Sequence, residues 1–244
     1  MPRYFIEVSY KGTLYAGFQA QQNANTIQDE IEKALGVYFK QSFSLTGSSR
    51  TDAGVHALQN FFHFDFEFAE MPNWDKAAYH LNAILPPDIV IKNIVAVEDN
   101  AHSRFDAKYR TYEYTIYAHK DPFLQDRAYF YPYKLDMDML NQAASLLKGM
   151  QNFESFSKRN TQVKTFDCTI YESEWISRQQ TIVYRVSGNR FLRGMVRGLV
   201  GTMLKVGRGK TSIDQFKEII DSHNPALVDF SMPPHGLTLV EVAY

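Results

Sequence analysis

Cysteine is nearly absent from this chain: Cys168 is the single one in 244 residues. An intramolecular disulfide is therefore impossible, and a zinc site built on cysteine is implausible. The seven histidines show no metal-ligand spacing, so no metal is expected. Long apolar runs are missing as well, and nothing approaches the length needed to span a bilayer. Glu7 interrupts the opening Met1-Pro-Arg-Tyr-Phe-Ile before a signal-peptide core could form. The expectation is a cytoplasmic protein with no metal and no membrane partner. Low-complexity segments are absent, and 45% apolar with 22% charged residues is the balance of an ordinary globular protein. A chain of this length buries roughly three-quarters of its unfolded surface, enough for one large domain or two small ones.

An excess of either charge is missing too. The formal net charge of −1 argues against a uniformly basic nucleic-acid-binding domain. The distribution is less even than the average. From Arg185 to Lys210 there are seven Lys or Arg and no Asp or Glu, while acids collect elsewhere, as in Asp65-Phe-Glu67 and Asp136-Met-Asp138. One basic segment on a neutral protein is compatible with RNA binding through a single face.

The hydrophobic periods alternate in order. Arg3 to Tyr10 reads as a strand, and Ile27, Ile31, Ala34, Leu35 and Tyr38 recur at helical spacing behind Thr26, whose partner Asp29 completes a capping-box-like start. Strands follow near 43–47 and 60–68, then a helix near 74–84 stopped by Pro86-Pro87, then a strand from Ile89 to Val97. That order is β-α-β-β-α-β, the ferredoxin-like unit. The second half repeats it: a strand from Tyr109 to Ala118, a helix from Met137 to Leu147, a hairpin near 167–176 and 180–187, an apolar helix containing Leu192 to Leu204, a helix near 212–222 and a strand near 237–243. The stretch 119–134 reads as a long loop. The fold class expected is α+β, with two ferredoxin-like halves, 1–104 and 105–244, and sheets joined across a central cleft.

The chemistry concentrates in Gly47-Ser-Ser-Arg50-Thr-Asp52-Ala-Gly54-Val-His56-Ala57. A carboxylate in a strand-end loop can be held toward a ligand on rigid support, with Arg50 near enough to keep it ionised. Read by itself, the segment could equally be an Asx-turn in which Asp52 caps its own backbone. Among the tyrosines at 109, 112, 114 and 117, strand propensity and packing are one account, and a stacking surface is another. Gly194, Gly198 and Gly201 each cost about 1 kcal/mol inside a helix, which suggests close approach by another element or a ligand. Arg193, Arg197 and Lys205 fall at multiples of four along the same apparent helix, whose N-terminus could receive a phosphate. Lys205, Arg208 and Lys210 read as its solvated surface. His56 reads as a loop-packing residue and His63 as a solvated one.

The 47–57 segment closely resembles the Arg-Thr-Asp-Ala-Gly-Val-His signature of the tRNA pseudouridine synthase A family. Tyr10-Lys-Gly-Thr-Leu-Tyr15-Ala-Gly17-Phe18-Gln19-Ala-Gln21 is similar to that family's first motif. Leu81-Asn82-Ala-Ile-Leu-Pro86, His102-Ser-Arg104-Phe105, Arg110-Thr-Tyr112-Glu-Tyr114, Phe191-Leu-Arg193-Gly-Met195-Val-Arg197 and Gly236-Leu237 follow in the family's order. Two departures stand out: Ser49 where glycine is usual, and Phe18 where tryptophan is common. The resemblance implies isomerisation of uridine to pseudouridine at positions 38, 39 and 40 of the tRNA anticodon arm, on a flipped-out nucleotide. It implies Asp52 as nucleophile with Arg50 and Arg197 in the catalytic group. Tyr112 would stack on the displaced uracil and serve proton transfer at carbon-5, leaving Tyr114 to packing. Arg193 would contact the RNA backbone, and Arg104, Leu237 and Gln19 would bind substrate. The first motif could instead be no more than a turn between strand and helix. The product is an isomer of the reactant, so no cofactor is expected. The partners expected are tRNA and a second copy of the chain in a homodimer. A non-catalytic RNA-binding module of the same topology is the alternative, and neither half carries that module's aromatic-rich strand signature. A hydrolase using Asp52 would need an acidic partner motif that is not found.

Overall fold

Strand β1 (Arg3–Tyr10) buries Tyr4, Ile6, Val8 and Tyr10 along one face, as period-two alternation demands. The structure, a computed structural model, describes residues 1–158 and 163–244. Two compact units divide the chain, Met1–Lys108 with Leu239–Tyr244, and Tyr109–Thr238. The fold is α+β. The first unit continues from β1 through α1 (Ile27–Phe39), β2 (Thr46–Gly47), β3 (His56–Asp65), α2 (Trp74–Ile84) and β4 (Ile89–Val97). β1 lies between β4 and β3, antiparallel to both, and β2 pairs with β3.

Local chemistry explains the helix ends. The Thr26 hydroxyl accepts from the Asp29 N–H at 3.2 Å and donates to the Asp29 carboxylate, closing the first turn of α1. Asn73 caps α2 by accepting from the Lys76 N–H. α1 turns Ile27, Ile31, Ala34 and Leu35 inward, and α2 turns Ala77 and Leu81 inward. Asn82 ties α2 to β4 by accepting from the Ile91 N–H and donating to its carbonyl, both at 2.8 Å. An aromatic group of Tyr4, Phe39, Phe43, Phe64, Phe68 and Trp74 closes the end of this core.

The second unit contains β5 (Tyr109–Tyr117), β6 (Tyr129–Phe130), α3 (Met137–Leu146), β7 (Ile170–Arg178), β8 (Thr181–Gly188), α4 (Met195–Gly207) and α5 (Ile213–Asp221). β8 lies between β5 and β7, antiparallel to both, and β6 runs parallel to β5. The 119–134 stretch thus carries a short strand inside what reads as loop. Strand β9 (Leu237–Ala243) leads back into the first unit. There the Val242 N–H donates to Gln59, the Ala243 carbonyl accepts from the Lys108 N–H, and the Tyr244 hydroxyl donates to the Ser103 carbonyl at 2.6 Å.

Helix α4 differs from its sequence reading in two respects. It begins at Met195, because Gly194 (φ 75°) breaks the backbone, so Arg193 precedes the helix and lies off its face. It is also buried on nearly every side rather than along one stripe.

The basic segment is likewise not one solvated face. Arg185 on β8 bonds Glu113 on β5 and Glu172 on β7, each at 3.0 Å, and Arg178 grips Glu113 with two bonds of 2.9 Å. Burial alone would push the Glu113 carboxyl up, but Arg178 and Arg185 outweigh it and hold the group below its ordinary value. Lys205 pairs with Asp229 at 3.4 Å. Arg208 stacks on the Tyr133 ring, 3.8 Å from its centroid.

Candidate active site

The loop joining β2 to β3 carries Asp52 and is fixed from four directions. The buried Asn60 amide donates to the Ser49 carbonyl at 2.9 Å and to the Tyr10 hydroxyl at 3.1 Å. That hydroxyl lies 2.8 Å from the Thr51 Oγ1. The Thr51 carbonyl accepts from the Phe18 N–H at 3.1 Å, and the Tyr15 carbonyl accepts from the Gly54 N–H at 3.3 Å. The Asp52 carbonyl accepts from the Val55 N–H at 3.1 Å, closing the turn beyond the carboxylate. Gly54 at φ 78° makes that turn possible. Gly17 is held to glycine on two counts, φ 112° and a Cβ position only 3.0 Å from the Thr51 carbonyl. The backbone on both sides of Asp52 is therefore set by hydrogen bonds, and its side chain is half-buried at the surface.

The first motif is brought against this loop, as the Tyr10–Thr51 and Phe18–Thr51 bonds show. His56 packs as expected, its Nδ1 accepting from the Gly12 N–H at 3.0 Å. Arg50 and Gln19 are exposed. The two departures from the family pattern are both packed inward. Ser49 is buried with its hydroxyl 3.2 Å from that of Ser48. Phe18 stacks on Phe62 at 4.2 Å and 12°, and a Cβ on Gly47 would fall on the Phe18 ring.

His63 corrects the sequence reading, which has it solvated. It is 6% exposed, and burial, with Arg3 and His102 nearby, pulls its imidazole down to about 4. The Ser103 N–H donates to His63 Nδ1 at 3.2 Å, so that nitrogen carries no proton and the ring is neutral. The Ser103 hydroxyl lies 2.8 Å from the same nitrogen and 3.1 Å from the Thr46 carbonyl. Thus the turn bearing Arg104, which is exposed, is pinned to the strand that leads into the Asp52 loop.

In the second unit, Tyr112 is buried on β5 opposite Val186, with Phe191 edge-on at 5.1 Å. Tyr114, two residues on, is fully buried and donates to the Pro233 carbonyl at 2.8 Å; burial raises its hydroxyl far above the ordinary tyrosine value. Leu237 is buried at the start of β9. Arg193 is exposed, its carbonyl accepting from the Lys158 N–H. Arg197 sits in the first turn of α4 and donates from Nε to the Met232 carbonyl at 2.6 Å. The segment 228–232 that supplies this carbonyl lies directly on α4. A Cβ on Gly198 would be 2.8 Å from Phe230, and one on Gly201 would collide with the Asp229 carbonyl oxygen. The close approach expected of these glycines is therefore made by the chain itself. Thr202 completes the seat, donating to the Gly198 carbonyl and accepting from the Asp229 N–H. Sequence reasoning missed Met232 as the brace of Arg197; the glycine pair was the available signal. Among the described residues no group of three or more His, Cys, Asp or Glu is placed to hold a metal, and no helix is long and apolar enough to cross a membrane.

A family described as tRNA pseudouridine synthase matches residues 6–106 and 143–244, a span that contains both the Asp52 loop and the Arg197 helix. The chain belongs to the tRNA pseudouridine synthase A family. It is 42% identical to tRNA pseudouridine synthase A of Parabacteroides distasonis over 246 aligned positions, covering 100% of this chain and 96% of the relative. It is 44% identical to the Bacteroides fragilis protein of that name, covering 99% and 96%. The Staphylococcus aureus protein of that name is 38% identical, with 98% and 90% covered. The matched span includes the Tyr10–Phe18 segment against the Asp52 loop, Gly198 and Gly201 on α4, and Gly236, whose Cβ would collide with Tyr114.

Proposed function

We propose that this chain converts uridine to pseudouridine at positions 38, 39 and 40 of the tRNA anticodon stem-loop, with Asp52 as the nucleophile. Family membership carries the coarser part: the chain is an enzyme, an isomerase acting on tRNA. That sets the non-catalytic RNA-binding alternative aside. The observation that supports Asp52 as the nucleophile is its loop, whose backbone is fixed through Tyr10, Thr51, Asn60 and Val55 while Asp52 itself stays half-buried. A nucleophile held on such a support loses little freedom when the reacting carbon arrives.

In this reading the target nucleotide is flipped from the stack, and Asp52 and Tyr112 act on the same uridine. Tyr112 stacks on the freed uracil and its hydroxyl serves proton transfer at carbon-5. Arg50 and Arg197 stabilise negative charge around the reacting nucleotide, Arg197 with its Nε already committed to Met232. Arg193 takes an RNA phosphate, and Arg104, Gln19 and Leu237 complete substrate binding. Each unit is read as a ferredoxin-like half; the four-strand order β4-β1-β3-β2 supports this reading for the first. We propose a cytoplasmic homodimer. The test is pseudouridine mapping of an unmodified tRNA transcript after incubation with the wild type and with Asp52→Asn. Product at the three positions with the wild type and none with the variant is expected. Product elsewhere, or substantial product from Asp52→Asn, overturns the reading.

A further inference from the structure

Phe105 is the least expected side chain on the surface of the first unit. Phe105 is 74% exposed, yet it sits in a turn whose backbone N–H groups from His102 to Asp106 all donate hydrogen bonds. The His102 N–H donates to the Asp106 carboxylate at 2.6 Å, and the Asp106 N–H returns to the His102 carbonyl at 3.0 Å. His102 Nδ1 accepts from the N–H groups of Arg104 and Phe105, at 3.1 and 3.4 Å. The His102 ring lies 4.2 Å from the Phe105 ring and 4.6 Å from the buried His63, which holds Ser103 between them. The Arg104 guanidinium stands 5.8 Å from the Phe105 centroid.

Single exposed apolar residues are normal on a protein surface. A ring that packs on His102, in a turn that His63 holds through Ser103, is different, because its position costs little entropy to use. An aromatic face with a guanidinium beside it matches one partner chemistry well. A nucleotide out of its helix offers a base to stack on the ring and a phosphate for the cation.

We propose that the Arg104–Phe105 turn is a stacking platform for an unpaired nucleotide of the tRNA, Phe105 taking the base. The proposal rests on the reading of this chain as a tRNA-modifying enzyme. Phe105 is a binding residue in this account, and His102 and His63 are positioning residues that act through it.

The test measures binding of an unmodified tRNA transcript at fixed salt by the full-length chain. Phe105→Ala should weaken binding about 5- to 150-fold, the range for losing one stacked base, while Phe105→Tyr binds like the wild type. In Phe105→Trp the added indole emission, taken as the difference from a wild type carrying Trp74 and Trp175, should be quenched by the transcript. A blunt RNA duplex should quench it far less. Unchanged affinity in Phe105→Ala, or an indole that ignores the transcript, overturns the proposal. So does a Phe105→Ala protein that elutes as a smaller species at equal concentration, since the ring would then belong between two copies of the chain. The binding arms need no turnover, so quenching in the double variant Asp52→Asn/Phe105→Trp tests the platform even if pseudouridine is formed by no protein.

Discussion

Gly201→Ala sets two physical effects against each other and so reads the packing of α4 directly. Helix propensity alone favours alanine over glycine by about 1 kcal/mol in a helix interior. Gly201, however, faces the backbone carbonyl of Asp229, not the end of a flexible side chain, so an added methyl must displace the 228–232 segment. Overpacking of this kind costs about 1–3 kcal/mol. The displaced segment also carries the Met232 carbonyl away from the Arg197 Nε, a charge-assisted bond of 2.6 Å. The net expectation is a destabilisation of about 1–2 kcal/mol, a fall in Tm of ~2–8 °C for a chain of this size. Turnover should fall on the order of tenfold, because Arg197 loses its brace. Gly36→Ala in α1 is the matched control: its Cβ would meet only the Gln41 carbonyl at 3.4 Å, so propensity should prevail and stability should rise slightly. Thermal unfolding and single-turnover pseudouridine formation are measured for both. A Gly201→Ala protein stabilised like Gly36→Ala, with unchanged turnover, would refute the reasoning.

Asp52→Asn should fold and bind tRNA while forming no pseudouridine; a binding assay beside product mapping checks both halves. Tyr112→Phe keeps the ring on Phe191 but loses the hydroxyl, so tRNA binding should persist with little product, and near-normal turnover would reduce Tyr112 to a stacking surface. Arg193→Ala should weaken binding evenly across tRNA sequences and reduce the log–log salt slope by about 1, whereas Arg197→Ala should lower turnover more than affinity; equal losses in the two would remove Arg197 from the catalytic group. His63, lowered from the ordinary 6.5 to about 4, is neutral in the fold and takes up a proton more readily in the unfolded chain. Its contribution is whole above pH 6.5 and is lost as the pH falls toward 4, on the order of 3 kcal/mol at most. Urea unfolding from pH 7 to 4 should show a flatter pH dependence in His63→Gln; an unchanged slope would mean that another group controls it.

Elements whose signal lies within their own few residues were legible in the sequence. The alternation of Arg3–Tyr10, the Thr26 cap and the Pro86-Pro87 stop each carry their own physics, and β1, α1 and α2 follow them. What could not be read depends on partners far away in the chain. His63 alternates with phenylalanines like a solvent-facing residue, but the turn at 101–106 covers that face through Ser103 and His102. The segment from Arg185 to Lys210 contains no acid, yet Glu113, Glu172 and Asp229 come to it from other elements. The apolar spacing of α4 runs on through Leu192 and so places its start too early, past the positive φ of Gly194 that stops the helix. At the site, motif resemblance singled out Asp52 and Arg197, while the bonds of Tyr10 to Thr51 and of Met232 to Arg197 join residues far apart in the chain.

The return of Leu239–Tyr244 to the first unit has a consequence for how the protein is made. The unit that holds Asp52 takes Val242 onto Gln59, Ala243 onto Lys108 and Tyr244 onto Ser103. Those six residues leave the ribosome only after the whole of Tyr109–Thr238. At about 5–20 residues per second, the Asp52 unit waits on the order of ten seconds with its own last pieces unmade. Over that interval the turn at Ser103 lacks one of its anchors, and the nascent chain has a reason to depend on whatever shields Phe5 and Phe61, the rings that Tyr244 later covers. Completion of the Asp52 unit is thereby timed to the end of synthesis of its neighbour, although most of its sequence comes first.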